Sequence, residues 1–126
     1  MPFIHITSLP LEKPVAVPPL LEKISEEFAQ ILGLDVKYVT ATWTFLAAGH
    51  CASGGKALHF QSHTSHPLLV SLVVPGFYRG EQISKALHAA ASAISLHADI
   101  AKTNIFIQAE VAKSGCVFDN GTVMTW

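Results

Sequence analysis

A proline at the second position, Pro2, is the residue of this chain whose chemistry is most distinctive. Methionine ahead of a small residue is normally removed in the cytosol, and its removal would leave Pro2 as a free secondary amine. The pKa of an α-amino group is about 7.7–8.0, and an apolar pocket or a nearby cation lowers it by disfavouring the charged form. Such an amine transfers protons near neutral pH. The alternative is that Pro2 only marks the start of a strand, where its missing N–H costs no ladder hydrogen bond.

Arg79 is the only arginine in the sequence, and it follows an apolar segment that reads as a strand. Its planar guanidinium binds a carboxylate through two parallel hydrogen bonds. Its charge would also favour the neutral form of Pro2 and stabilise a developing enolate. The alternative is a solvated arginine in a turn before a helix, because turns collect exposed charges as readily as functional ones.

Histidine and cysteine do not form a recognisable metal-binding pattern. Zinc sites need three or four ligands at defined spacing, and neither His63 with His66 nor His50 with Cys51 has a second such pair nearby. We therefore expect no metal and no cofactor. Nothing in the sequence around Cys51 and Cys116 would stabilise a thiolate, so we expect reduced thiols in small core residues.

Composition limits the classes of protein to which the chain can belong. Its 126 residues fit one domain, and 50% hydrophobic residues exceed what a lone small domain needs, which favours oligomers. A net charge of −1, with 13% charged residues, provides no basic stripe for nucleic acid. The apolar runs are shorter than the roughly 20 residues of a membrane-spanning helix. Without a recognisable signal peptide, we expect a cytoplasmic protein.

The elements that position Pro2 and Arg79 are predicted to be two copies of one βαβ unit. Strand propensity and helical periodicity predict a strand at Phe3–Ser8, a helix at about Pro19–Leu32 and a returning strand at Val36–Leu46. A glycine-rich loop at residues 48–55 follows this first βαβ unit.

The second unit follows the same order. A strand at Leu68–Val74, a helix from Glu81 to about Leu96 and a strand at Asn104–Val111 repeat the first unit at an offset of about 66 residues. We expect a single α+β domain at residues 1–126, with pseudo-repeats at 2–58 and 67–126. Two right-handed crossovers predict a four-stranded sheet with both helices on one face. The other face stays apolar and requires partners.

The chain resembles members of the tautomerase superfamily. The resemblance rests on Pro2 at the start of the first strand, on the βαβ unit, and on residues 48–55, Ala-Gly-His-Cys-Ala-Ser-Gly-Gly. The short 4-oxalocrotonate tautomerases carry a similar Gly-His followed by Gly-Gly. The doubled length is similar to the macrophage migration inhibitory factor and 5-carboxymethyl-2-hydroxymuconate isomerase branches, and residues 117–123 resemble the tail of the former. The resemblance implies a homotrimer with Pro2 at the floor of each active site, near a subunit boundary.

Several residues that accompany the proline in that superfamily are replaced here. The resemblance implies an arginine at the position of Thr40, and a lysine, a tyrosine and an asparagine at the positions of Leu34, Phe106 and Gln108. Arg79 remains as the candidate carboxylate ligand. The implied roles are a carboxylate anchor for Arg79, a hydrogen-bond donor for Gln108, and pocket walls for Phe106 and Thr40.

The resulting hypothesis is a tautomerase, an isomerase that moves a proton between the enol and keto forms of a small keto acid. Pro2 would be the general base and acid, and the substrate would be the only small-molecule partner. The replaced residues leave two alternatives open: a catalytically silent trimeric binding or scaffold protein of the same fold, and a proline-dependent dehalogenase or decarboxylase. A ferredoxin-like binding domain would also contain two βαβ units, but it would not require a free Pro2.

Overall fold

The computed structural model describes residues 2–126, which form two helices and eight strands. In chain order the elements are β1 (Phe3–Ser8), α1 (Val17–Leu32), β2 (Thr40–Phe45), β3 (Cys51–Ser53), β4 (Lys56–Leu58), β5 (Leu68–Val74), α2 (Gly80–Ala98), β6 (Ile105–Val111), β7 (Val117–Asp119) and β8 (Thr122–Met124). Short 3₁₀ turns at Val36–Tyr38 and Lys102–Asn104 precede β2 and β6.

The central sheet has four strands in the order β2-β1-β5-β6. Strand β1 runs parallel to β2, and β5 runs parallel to β6, as each βαβ crossover requires. The two units meet through antiparallel pairing of β1 with β5. The predicted α+β fold, with a four-stranded sheet made from two repeats, is therefore confirmed.

One face of the sheet and the two helices enclose the core. Alternate residues of the central strands supply the sheet side, because side chains of a strand point to opposite faces in turn. They are Ile4, Ile6, Leu68, Val70, Leu72 and Val74, all buried. From α1, Leu20, Ile24 and Phe28 recur every four residues and so lie on one helical face. The buried face of α2 is mostly alanine, which lets this helix pack closely.

Two local predictions were wrong, each for an identifiable reason. The expected long strand Val36–Leu46 is shortened to Thr40–Phe45, because the Asp35 carboxylate accepts the Lys37 N–H at 3.0 Å and residues 36–38 form a 3₁₀ turn. The expected loop at 48–55 contains β3 and most of a hairpin with β4. Its turn is formed by Gly54 and Gly55, whose φ values of 60° and 80° suit a type I′ turn.

The duplication extends further than the four sheet strands. The hairpin β3-β4, from Cys51 to Leu58, recurs as β7-β8, from Val117 to Met124, and 51 to 117 is an offset of 66 residues. Both hairpins are separate two-stranded sheets that do not join the central one. An isolated two-stranded hairpin is marginally stable in water, so each of them depends on packing against other parts of the structure.

The sheet face opposite the helices is uncovered within residues 2–126. Phe3, Leu69 and Phe106 are exposed there, and His5 and Ser71 form a polar row between them. Strand register fixes this arrangement, because Phe3 pairs with Val73 and Leu69 with Phe106. No helix in this part of the chain is long and apolar enough to cross a membrane.

Candidate functional site

Pro2 lies at one end of the central sheet, enclosed by the two strands that flank β1. It is fully buried, and its carbonyl oxygen accepts the Thr40 N–H at 3.1 Å. Because Phe3 pairs with Thr40 on one side and Val73 on the other, the register places Pro2 between Val39 and Val74. Met1, whose removal the sequence leads us to expect, lies outside the described residues.

A pocket of about 480 Å³ opens at the same end of the sheet. The next residues outward from Val39 and Val74 are Tyr38 and Pro75, and both line it. The full lining is Tyr38, Pro75, Phe77, Asp119, Asn120, Met124 and Trp126. Pro2 is adjacent to this wall but is not itself a lining residue. The pocket therefore contains three aromatic rings and one carboxylate beside the residue with the distinctive chemistry.

The hairpin β7-β8 supplies one wall of the pocket. Asn120 and Gly121 form its turn with φ values of 52° and 80°, the combination that a type I′ turn requires. The Asn120 N–H donates to Oδ1 of Asp119 at 2.9 Å, which orients this carboxylate at the tip of the hairpin. Met124 follows at the far end of β8.

The end of the chain folds back to form the opposite wall. The Trp126 N–H donates to Oγ of Ser114 at 2.9 Å, and the indole ring meets the Phe77 ring edge to face at 6.4 Å. Only glycine fits beneath it. A Cβ at Gly76 would lie 2.0 Å from the Ala112 carbonyl oxygen and 2.6 Å from Cζ2 of Trp126.

The charges around the pocket are unevenly distributed. Asp119 is the only carboxylic acid side chain in the lining, which contains no lysine, arginine or histidine. The Lys37 ammonium lies 5.1 Å from the centre of the Tyr38 ring and 3.7 Å from Oδ2 of Asp35, so it is already paired at the outer edge of the wall. Burial raises the pKa of the adjacent Tyr78 hydroxyl above its ordinary value of 10.0, so this group is neutral at physiological pH and cannot serve as a base.

Arg79 does not line the pocket of its own chain. It is exposed, and it precedes the first turn of α2, where the Gln82 side-chain oxygen accepts its backbone N–H at 2.8 Å. The guanidinium makes no ion pair with the described residues. Its charge is thus free to meet a ligand or another chain, two residues beyond Phe77 of the pocket wall.

The other sequence-predicted residues are divided between two surfaces. Thr40 holds the Pro2 carbonyl through its backbone, but its exposed side chain lies outside the Pro2 pocket. Phe106 and Gln108 lie on β6, two strands away from β1, where they line a shallow depression of about 220 Å³ on the open sheet face. Within one chain, the structure therefore joins only Thr40 to Pro2.

Sequence reasoning missed most of the pocket lining. The Asn120-Gly121 pair between β-branched and aromatic residues was the available signal, because Asn-Gly favours a two-residue hairpin turn. This pair predicts the hairpin but not the pocket that the hairpin lines. Tyr38, Phe77 and Trp126 carry no local pattern that would bring them together, since they come from three distant segments.

The two cysteines differ in burial, and only one of them fits the predicted core position. Cys51 is partly buried, but Cys116 is exposed, so the expectation that both are core residues was wrong for Cys116. It belongs to the connection before the β7-β8 hairpin, which stands apart from the core. His63 contacts the carbonyl oxygen of Asp99 at 2.9 Å. Across residues 2–126, no group of three His, Cys, Asp or Glu side chains is arranged to hold a metal ion.

The duplication places Pro67 where Pro2 stands in the first unit. Pro67 directly precedes β5, as Pro2 directly precedes β1, at an offset of 65 residues, the difference between 67 and 2. An internal proline is a tertiary amide whose nitrogen has no basic lone pair. Only the first unit can therefore carry amine chemistry, which limits each chain to one such site.

Comparison with known proteins identifies the fold. No known family model matches the chain, and no curated protein matches it in sequence. Among solved structures, it is similar to Pt0534 inactivated by 2-oxo-3-pentynoate, with a TM-score of 0.74, 17% identity, and coverage of 98% of this chain and 94% of that one. It is also similar to the wild-type fused 4-OT F6, an asymmetric trimer, with a TM-score of 0.78, 11% identity, and coverage of 96% and 94%.

A third similar structure is N1, a member of the cis-3-chloroacrylic acid dehalogenase family. Its TM-score is 0.73 at 11% identity, with coverage of 97% of this chain and 82% of that one. All three likenesses span nearly the whole chain, so the chain has the fused double βαβ fold of these proteins. At such low identity the likeness defines the fold and leaves the chemistry to be argued from the residues.

Proposed function

We propose that the chain is a member of the tautomerase superfamily, a cytoplasmic keto-enol tautomerase that uses the amine of Pro2 after removal of Met1. One observation carries this proposal: Pro2 is buried at the sheet end beside an aromatic pocket, in a fold shared with fused 4-OT. An apolar surrounding disfavours the charged amine, so a fraction of Pro2 is unprotonated near pH 7.

The proposed reaction needs only one proton shuttle. The Pro2 nitrogen takes the proton of the enol hydroxyl, and the electron pair of that O–H bond forms the carbonyl. The carbon–carbon double bond then takes a proton from the Pro2 ammonium at carbon, which restores the neutral amine. The atoms and charges balance, and the reverse path begins with removal of the α-proton. Small carbonyl compounds are the substrates of this proposal.

We further propose that the chain assembles as a homotrimer. The open sheet face and the two separate hairpins provide apolar and hydrogen-bonding surface for neighbouring copies. In such a trimer, Phe106 and Gln108 of one copy would lie against Pro2 of another copy. The exposed Arg79 of one copy would likewise bind a substrate carboxylate at the Pro2 site of another copy. In this keto acid version of the proposal, the substrate is a small keto acid. Analytical ultracentrifugation of the protein tests for a mass three times that of the chain.

The experiment that tests the catalytic proposal begins with the intact mass of untagged protein, which reports whether Met1 is removed. Ketonisation of enol phenylpyruvate and of its methyl ester is then followed by absorbance in wild type and in Pro2→Leu, whose large second residue keeps Met1 in place and so leaves no free amine at position 2. A loss of about 10²-fold or more in kcat/KM, the usual range for a general base, supports the role of Pro2. Pro67→Leu is the matched control, because it alters the proline without a basic nitrogen. Activity of Pro2→Leu equal to wild type overturns the proposal.

Two alternatives are outcomes of the same experiment. Retained Met1, with neither substrate turned over, favours a silent binding or scaffold protein, which the position of Pro2 behind the pocket wall also permits. Chloride release from 3-chloroacrylate favours a dehalogenase, the activity after which the family of N1 is named. Covalent labelling by 2-oxo-3-pentynoate, which inactivates Pt0534, gives a readout of the free amine that does not depend on the substrate.

A further inference from the structure

The pocket beside Pro2 has a charge and shape that point away from a carboxylate substrate. We propose that it selects aromatic carbonyl compounds without a carboxylate, and that it prefers those that carry an ammonium group. The turnover part of this inference rests on the proposed function. The binding preference rests on the pocket as one chain forms it, and it opposes the keto acid version above, in which Arg79 of another copy supplies a cation.

The walls of the pocket determine the apolar part of the ligand. Tyr38, Phe77 and Trp126 contribute aromatic rings and Met124 a thioether, within a volume of about 480 Å³. This volume is in the range of small-molecule sites and holds one substituted ring. The edge-to-face contact of Phe77 with Trp126 leaves flat apolar surface for stacking. The electron-rich faces of the rings also attract a cation, as in the aromatic cages that bind organic ammonium groups.

The Asp119 carboxylate in the lining favours the same kind of ligand. Oδ1 of Asp119 accepts one backbone N–H from Asn120, and the carboxylate has no ion-pair partner among the described residues. A ligand carboxylate in this pocket would place two like charges together in an apolar site. A ligand ammonium would instead gain both the carboxylate and the aromatic faces.

Two side-chain cations lie near the pocket, and neither of them lines it. Lys37 is paired with Asp35 and stands over the Tyr38 ring rather than in the lining. Arg79 is exposed beyond Phe77 and is likewise outside the lining. The carboxylate anchor implied by the superfamily resemblance is therefore absent from this pocket within one chain.

Calorimetric titration with three ligands of similar length and size tests the binding preference. The probes are 3-phenylpropylammonium, 3-phenylpropionamide and 3-phenylpropionate, with charges of +1, 0 and −1, in wild type and in Asp119→Asn. Asparagine is the matched replacement, because it keeps the shape of aspartate and is itself a common turn residue. We expect Kd to rise at least about fourfold for each step toward negative charge, because a Coulomb interaction at about 5 Å has that effect in bulk water and a larger one near a protein surface. In Asp119→Asn, the difference between cation and anion should shrink to about threefold.

Equal affinities for the three probes, tightest binding of the anion, or no binding of any probe would each overturn the inference. An unchanged preference in Asp119→Asn would overturn the role of that carboxylate. The aminoethyl ester, methyl ester and free acid of phenylpyruvate extend the series to turnover, and the same order of kcat/KM is expected. A binding preference without turnover of any ester refutes the tautomerase proposal and leaves the binding inference intact, so the two failures are distinguishable.

Discussion

Replacing Gly76 with alanine changes the tightest contact of the candidate site. The added Cβ would lie 2.0 Å from the Ala112 carbonyl oxygen and 2.6 Å from Cζ2 of Trp126, where ordinary contacts exceed 3.4 Å. The carbonyl is backbone and cannot rotate away. Its residue is also held by the hydrogen bond from the Ala112 N–H to the Val74 carbonyl at 2.9 Å, which extends the β5-β6 ladder. The segments must therefore separate.

The magnitude follows from this geometry. Inserting one methyl group into a packed site costs about 1–3 kcal/mol, and a rigid backbone neighbour places Gly76→Ala at the upper end, about 2–3 kcal/mol. Gly80 provides the matched control, because no atom lies within 4 Å of a Cβ built there and the residue begins α2. Gly80→Ala should leave the free energy of unfolding unchanged or raise it by about 0.4–1 kcal/mol through reduced freedom of the unfolded chain.

Urea denaturation at a fixed protein concentration measures both changes, since the unfolding midpoint of an oligomer depends on concentration. Binding of 3-phenylpropylammonium to the folded Gly76→Ala protein should weaken as well, because the Trp126 wall is displaced. A free energy of unfolding within about 0.5 kcal/mol of wild type, together with unchanged binding, would refute the contact between Gly76, Ala112 and Trp126.

Three further predictions concern the core and its surroundings. Ser8→Ala should lower the free energy of unfolding by about 1–3 kcal/mol, measured by urea denaturation. Buried Ser8 accepts the Trp43 indole N–H at 2.9 Å, and loss of the hydroxyl leaves that donor unpaired. A double mutant with Trp43→Phe should recover part of the lost free energy. Phe28→Ala should cost about 3–5 kcal/mol in the same assay, because Phe28 is fully buried between α1 and the sheet, and a loss below 1 kcal/mol would contradict this packing. Since burial raises the Tyr78 pKa above 10.0, the contribution of the neutral hydroxyl to the free energy of unfolding is fully present below pH 10 and is lost as pH rises through the folded value. The free energy of unfolding above pH 10 should therefore fall less steeply with pH in Tyr78→Phe than in wild type. Exposed Tyr38→Phe is the control, and identical slopes in all three proteins would contradict the burial of Tyr78.

Local pattern was sufficient for the main elements. Short runs of strand-favouring residues bounded by turn residues predicted β1 at Phe3–Ser8 and β5 at Leu68–Val74 with the bounds that the structure has. Helical periodicity located α1 and α2 to within two residues at each end, since each residue's own type determines whether it faces core or solvent. Duplication of the pattern then fixed the α+β architecture, because right-handed crossovers leave few ways to join two βαβ units.

The site depended on the tertiary structure. Tyr38, Pro75 and Trp126 are remote in sequence, and they meet beside Pro2 only because strand register sets the end of the sheet and the β7-β8 segment folds over it. The same register carries Phe106 and Gln108 to another surface. By itself, the sequence determined which residue has unusual chemistry and which elements position it. The neighbours of Pro2 were decided by contacts between distant segments, which no local periodicity encodes, and these contacts gave it an aromatic, acidic pocket.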